Sequence, residues 1–329
     1  MNRGRTRKVR RTRSLRAVLI VLLVLLLVVM VGPFLVPVPP LAGTVPAESL
    51  AAPDGHYVQV DGLNIYYKSL GQGPTTFILL HGFGASVFSW REVMQPLSQY
   101  GRVIAYDRPA FGLTERPMSW TGVNPYSPEG NMNLLLGLMD QFGVAQAVLI
   151  GNSAGGTLAM QFALTHPDRV QALILVDPAV YTKGGPGWVS LIGNTPEMQH
   201  LGPLIVRSIR TSGIQLLTTA WHDPSKITPA IMAGYTQPLS VDNWDRALWD
   251  FNLAAHDTGL TQHLQDFKLP ILVITGADDR VVPTAQSVKL ASILPGAKLV
   301  VIPNAGHVPH EEQPAAFMQA VENFLARSP

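Results

Sequence analysis

Ile150-Gly151-Asn152-Ser153-Ala154-Gly155-Gly156 follows the short apolar run Ala147–Ile150 and precedes a segment with helical spacing. The pattern is G-x-S-x-G in a strand–turn–helix context. A turn this sharp strains the serine backbone, so only small residues fit two positions before and after it, and Gly151 and Gly155 stand there. The helix start then aims its free N–H groups and positive dipole end at the serine. An incidental serine in a glycine-rich turn would need neither the strand before it nor the helix after it.

Outward from this point the chain alternates. His56–Val60 and Leu63–Ser69 read as strands joined at Asp61-Gly62, a hairpin turn signal. Thr76–Leu80, Val103–Tyr106, Leu173–Val176, Ile271–Thr275 and Leu299–Ile302 read as further short strands. Phe88–Gln99, Pro128–Phe142, Thr157–His166, Thr284–Leu294 and Ala315–Ala326 read as helices. An opening hairpin followed by repeated strand–helix units predicts an α/β fold, with a mostly parallel central sheet and helices on both faces. The alternation breaks between Val180 and Lys268, a stretch rich in Pro, Gly and Trp. It lies between two core strands and is expected to form a helical lid over one end of the sheet, with Trp188, Trp221, Trp244 and Trp249 as candidate pocket walls.

Other motifs fall at strand ends. His81-Gly82-Phe83-Gly84 follows Thr76–Leu80, and the Phe83 and Ala154 N–H groups are the candidate oxyanion donors. His81 itself suits a structural hydrogen bond to a loop. His307, in Asn304-Ala305-Gly306-His307 beyond strand Leu299–Ile302, is the candidate base. The acid should lie between serine and histidine in chain order. Asp278 and Asp279 compete for that role after Ile271–Thr275, and Asp177, after Leu173–Val176, is a third candidate for which a surface or loop-capping role fits better. His307, His310, Glu311 and Glu312 lack the H-E-x-x-H spacing and a third ligand, so no metal is expected. No loop spells G-x-G-x-x-G and no cofactor is expected; with no cysteine in the chain, thiol, iron–sulfur and disulfide chemistry are excluded.

Together HGFG at 81–84, DRPAFGLTERP at 107–117, GNSAGG at 151–156, GADDRVVP at 276–283 and AGHVPHEEQP at 305–314 resemble the α/β-hydrolase fold superfamily, over roughly Gly55–Pro329. The resemblance implies a Ser153–His307–Asp279 triad, because the family's G-x-x-D-x-x-x-P pattern matches Gly276, Asp279 and Pro283. It also implies a small-molecule substrate, an apolar ester or related acyl compound, hydrolysed through an acyl-enzyme. The elbow resembles that of hydrolases that cleave carbon–carbon bonds in ring-fission products, which typically carry Trp after the histidine where Val308 stands here. Cofactor-free haloperoxidases share the same triad. A non-catalytic, membrane-tethered binding protein is the reading from another class; loss of Ser, His or acid would have signalled it.

Composition bounds the rest. Of 329 residues, 47% are hydrophobic and 14% charged, which excludes a disordered polymer. Residues 1–16 carry eight of the 24 basic residues and no acid; the remainder has 16 basic against 22 acidic residues, a net of −6. A nucleic-acid-binding surface on the body is therefore not expected. Residues 17–38 carry no charge and are long enough to cross a membrane. The expected organisation is a basic cytoplasmic tail over 1–16, a transmembrane anchor over 17–38, a Pro/Ala-rich spacer over 39–54 and a hydrolase domain over 55–329 with the lid at about 180–268. The basic tail places the body outside the cytoplasm. The alternative is cleavage near Val45-Pro46-Ala47 and secretion.

Overall fold

The computed structural model describes residues 3–182 and 187–327. The first two positions of the basic tail, residues 183–186 of the expected lid and the last two residues lie outside the described residues. The chain opens with helix α1 (Arg3–Leu35), which contains an apolar window, Arg16–Leu35, of mean hydropathy 3.3. Its large apolar side chains from Val18 to Leu35 are exposed. Phe34 stacks near His200, and His200 Nε2 lies 2.9 Å from the Val36 carbonyl oxygen.

The sheet is built from β1 (His56–Val60), β2 (Leu63–Leu70), β3 (Thr76–Leu80), β4 (Arg102–Tyr106), β5 (Ala147–Asn152), β6 (Val170–Val176), β7 (Ile271–Gly276) and β8 (Lys298–Ile302). Its order is β1-β2-β4-β3-β5-β6-β7-β8. β1, β2 and β4 pair antiparallel, and all other neighbours are parallel. Central strands are buried on both faces and read as unbroken apolar runs. Alternate residues feed two cores: Ile78, Leu149 and Val273 pack on one side, Phe77, Val148 and Leu272 on the other.

Helices cover both faces. Between β3 and β4 a 3₁₀ turn (Val87–Trp90) precedes the single-turn α2 (Met94–Leu97). A continuous helix over 88–99 is expected from sequence; Pro96 prevents it, since it has no N–H and its ring opposes the carbonyl four residues back. α3 (Pro128–Gln141) starts at Ser127, whose hydroxyl accepts the Gly130 N–H, and α4 (Ala154–Thr165) follows β5. The insertion holds α5 (Gly187–Gly193), α6 (Pro196–Val206), α7 (Ile209–Ala220), α8 (Pro229–Thr236) and α9 (Trp244–Ala254). α10 (Thr284–Ile293), α11 (Pro309–Glu312) and α12 (Pro314–Leu325) complete the chain.

The spacer over 39–54 does not run free. Val45 pairs with the insertion: its N–H donates to Ser240 O at 2.9 Å, and its carbonyl accepts from Asp242 N–H at 3.0 Å. A 3₁₀ turn (Ala47–Leu50) follows, and Ala47 packs into the core. Backbone pairing with a distant segment leaves no pattern in composition, so the spacer reading missed it.

Candidate active site

Parallel strands leave their carboxyl ends along one edge of the sheet, and β3 and β5 are neighbours across the point where the strand order reverses. Ser153 sits just past β5 with φ 53° and ψ −119°, a conformation that is strained for any side chain but held here by packing. Its N–H donates to Val176 O on β6 at 2.9 Å. A Cβ on Gly151 would collide with the Gly155 carbonyl, and one on Gly155 with the carbonyl of Leu80. The turn therefore closes only with glycine at both places.

The loop after β3 passes beside this turn. His81 is fully buried; its Nε2 accepts the Arg108 N–H at 3.1 Å and its Nδ1 lies 2.8 Å from Gly82 O, which assigns the proton to Nδ1. Burial, and then the Arg108 charge, depress its pKa well below the usual imidazole value, so it stays neutral as a brace for the loop. Phe83 and Ala154 are half-buried and line the same cavity. Neither N–H meets an acceptor among the described residues; Ala154 opens α4, where the first amides have no intrahelical partner.

His307 follows β8. Its N–H donates to Ala220 O at 2.6 Å, and its carbonyl accepts from Asn152 Nδ2 at 3.1 Å. The loop is tied further by Glu312, whose Oε2 accepts the Gly306 N–H at 2.6 Å. His307 Nδ1 lies 2.7 Å from Asp279 Oδ2. Asp279 Oδ1 accepts the N–H groups of Val281 and Val282 at 2.8 and 2.9 Å. In neutral His307 the Nδ1 proton thus points at Asp279, and Nε2 keeps a lone pair.

The three acid candidates are told apart by geometry. Asp278 is half-exposed and pairs with His222 and Arg280, the His222 contact first and Arg280 next holding its carboxyl below the usual range. Asp279 reaches His307 from inside. Asp177 is not a surface residue: it is fully buried, and Asp177, Asp279 and His307 each place an atom within 4.8 Å of the others. Its place directly after a strand resembles that of an exposed loop cap, which is why it reads as one in the sequence.

Ser153 and His307 open into a cavity of about 630 Å³ beneath the insertion. Its walls include Phe111, Leu217, Tyr235, Trp244, Leu248 and Phe251. Of the four tryptophans considered as walls, Trp244 lines it; Trp221 is buried in a cluster that joins the insertion to Val308 of the body, Trp249 lies against Gly202 within the insertion, and the Trp188 side chain lies outside the described residues. The Glu311 carboxylate accepts hydrogen bonds from Ser89 at 2.7 Å, from Arg91 and from the Tyr235 hydroxyl of α8, tying the insertion to the body. His310 is buried with Nε2 3.1 Å from Ser89 Oγ; burial pushes its pKa down to about 3.

Two residues that shape this site escape sequence reasoning. Asn152 occupies the variable position of G-x-S, and nothing in the pattern marks its bridge to the His307 loop. Tyr235 sits in an insertion without periodicity.

A family model described as alpha/beta hydrolase fold matches residues 75–314. The 2-hydroxy-6-oxononadienedioate/2-hydroxy-6-oxononatrienedioate hydrolase of Escherichia coli is 31% identical over 278 residues, covering 80% of this chain and 92% of that one. A meta-cleavage product hydrolase of Pseudomonas fluorescens superposes with a TM-score of 0.64 at 26% identity, over 84% of this chain and 98% of that one. The enol-lactonase of Burkholderia xenovorans gives 0.67 at 25% identity, over 83% and all of its own chain (100%).

Proposed function

Because the chain belongs to the alpha/beta-hydrolase fold family, we propose that it hydrolyses a carbon–carbon bond beside a ketone carbonyl, with Ser153, His307 and Asp279 as its triad. The observation that carries the triad is the His307 Nδ1–Asp279 Oδ2 contact of 2.7 Å beside a serine held at positive φ in the same cavity. The choice of bond is supported by the likeness to the Escherichia coli and Pseudomonas fluorescens enzymes, whose names describe the hydrolysis of dienedioates and meta-cleavage products.

We assign the residue roles by the logic of a serine–histidine–aspartate triad. His307 Nε2 takes the Ser153 hydroxyl proton as Oγ attacks the carbonyl carbon. Asp279 holds the imidazole orientation and stabilises the imidazolium. The Phe83 and Ala154 N–H groups, which meet no other acceptor among the described residues, bind the developing oxyanion. Collapse of the tetrahedral adduct breaks the carbon–carbon bond, and its electron pair leaves as a carbanion that His307 protonates. Such a leaving group departs only if its charge is delocalised, so the substrate must be conjugated on that side. Water then attacks the acyl-Ser153 ester with His307 as base, releasing the acid and restoring the serine.

Hydrolysis of an ester or lactone by the same residues is the second reading. It is favoured by the likeness to the enol-lactonase and by Val308, small and apolar, directly after His307. Comparing kcat/KM for a 2-hydroxy-6-oxo-dienoate and for a short-chain aryl ester separates the two. Carbon–carbon hydrolysis predicts a preference for the dienoate of about tenfold or more, equivalent to ~1.4 kcal/mol of transition-state binding. The opposite ranking moves the assignment to the ester. We propose further that α1 anchors the chain in a membrane with residues 1–16 in the cytoplasm and the catalytic body outside. The apolar length of the helix and the basic tail support this. Full-length protein should remain with membranes after carbonate washing; soluble intact chain would refute the anchor, and a mature chain starting near Glu48 would show cleavage.

A further inference from the structure

One fully buried acid takes no part in the chemistry above. Asp177 follows β6 with φ 45°, a left-handed conformation that a non-glycine residue keeps only where its surroundings hold it. Its Oδ1 accepts two hydrogen bonds, from Thr275 Oγ1 at 2.6 Å and from the Gly276 N–H at 3.1 Å. Its Oδ2 is buried and meets no N–H or O–H among the described residues. Asp279 and His307 each place an atom within 4.8 Å of this carboxyl, and the acid among them is Asp279. An ionised Asp177 would set a carboxylate oxygen without a protein donor against a second carboxylate in a buried site, and two like charges so placed do not both persist.

The proton belongs on Asp177 because the two acids are supplied unequally. Asp279 receives three donors: the N–H groups of Val281 and Val282 on one oxygen and His307 Nδ1 on the other. Asp177 receives two, both on one oxygen. More donors favour the charged form, so Asp279 stays a carboxylate. Among the described residues the titratable groups facing Asp177 are Asp279, from the loop after β7, and His307, from the loop after β8; Thr275 and Gly276 are neutral donors. Burial first, and the Asp279 charge second, push the Asp177 carboxyl well above the usual carboxylate range, in the same direction as the geometry.

We propose that Asp177 is a positioning residue, a neutral carboxylic acid whose hydroxyl donates to Asp279 and fixes that carboxylate for His307. This rests on the Ser153–His307–Asp279 reading. The arrangement adds a fourth donor to Asp279 without adding charge, so the acid turns its outer oxygen to the imidazole and cannot rotate away. It also leaves a second carboxyl in place that lacks only the loss of its proton to carry a charge beside His307.

The test combines a spectrum with a pH profile. The infrared spectrum of wild-type protein at pH 7.5 should show the carbonyl stretch of a protonated carboxylic acid, lost in Asp177→Asn and retained in Ser153→Ala. Asp177→Asn keeps a neutral donor, so kcat should stay within about threefold of wild type and the acidic limb of kcat/KM should not move. Asp177→Ala, which loses the donor, should lower kcat about tenfold and move the acidic limb to higher pH, because the charge on Asp279 is then less spread. An ionised Asp177 predicts the reverse for Asp177→Asn: removing a full charge near His307 would shift the limb to lower pH by about one unit or more. That shift, the absence of the protonated-acid band, or Asp177→Ala with wild-type kcat would each overturn the proposal. Should Asp177→Ala fail to fold, the Asp177→Asn limb and the spectrum decide alone. Full turnover in Ser153→Ala would instead sink the triad reading while the band still reported on Asp177.

Discussion

The loops at the carboxyl end of the sheet and the insertion above them are held in place by different means. Ser153, Asp279 and His307 each leave a strand through a short loop stitched by backbone groups: Val176 O to Ser153, two consecutive N–H groups to Asp279, Ala220 O to His307. The insertion adds side-chain ties, Tyr235 on Glu311 and His200 on the end of α1, to its backbone ones at Ser240, Asp242 and Ala220. Backbone ties place atoms to within the tolerance chemistry demands, whereas side-chain ties can be lost one at a time. Damage to the first region should therefore appear in kcat, and damage to the second in KM and stability.

The sharpest way to break this contrast lies in two adjacent residues. Asp279→Asn should lower kcat by about 10³–10⁴-fold with the fold intact, because the wrong imidazole tautomer is then held. Asp278→Asn, on the outer side of the same loop, should change kcat by less than about threefold, the loss of a half-exposed pair. Steady-state kinetics on the two variants checks both, and the reverse ranking would move the acid to Asp278.

Tyr235→Phe tests the insertion. It removes the hydroxyl that reaches Glu311 and leaves Arg91 and Ser89 in place. The expected result is a KM raised about three- to tenfold with kcat within about twofold, and a stability loss of about 1 kcal/mol by denaturant titration. A fall in kcat with unchanged KM would place Tyr235 in the chemistry instead.

The buried tie beneath it gives a pH-dependent effect on stability alone. His310 is held neutral in the folded chain, with its pKa pushed down to about 3 by burial. Between that value and the ordinary histidine range only the unfolded chain takes up the proton. Stability from this group is therefore full above about pH 6.5 and is lost as pH falls, by about 2 kcal/mol at pH 5. His310→Gln should flatten that part of the decline, measured by urea titration at pH 7.5 and pH 5. An unchanged slope would show that His310 does not carry it.

The same two regions differ in what sequence reasoning reaches. A strained turn tolerates few residues, so Gly151, Ser153 and Gly155 announce the elbow and, with the strands around it, the sheet. The α/β architecture and the likeness to the hydrolase family follow from such local necessities. Asp177 defeats the reading because one aspartate after a strand looks the same whether it caps a loop or lies buried beside Asp279. Tyr235 and Glu311 meet across the fold through one hydrogen bond that leaves no periodicity. Val45 pairs with Val241 by backbone alone, which any side chain allows, so the spacer looked free. In each case the missing information is a long-range contact to a single partner.

The most direct measurement of the central claim is the intact mass of the protein during turnover of a short-chain aryl ester, followed by peptide mapping. The account predicts an acyl group on Ser153 in wild-type protein, and none in Ser153→Ala, whose turnover should fall by about 10⁴-fold or more to what the oxyanion donors and binding supply. Well-folded Ser153→Ala protein that keeps full turnover, or an adduct mapped to another residue, would contradict it.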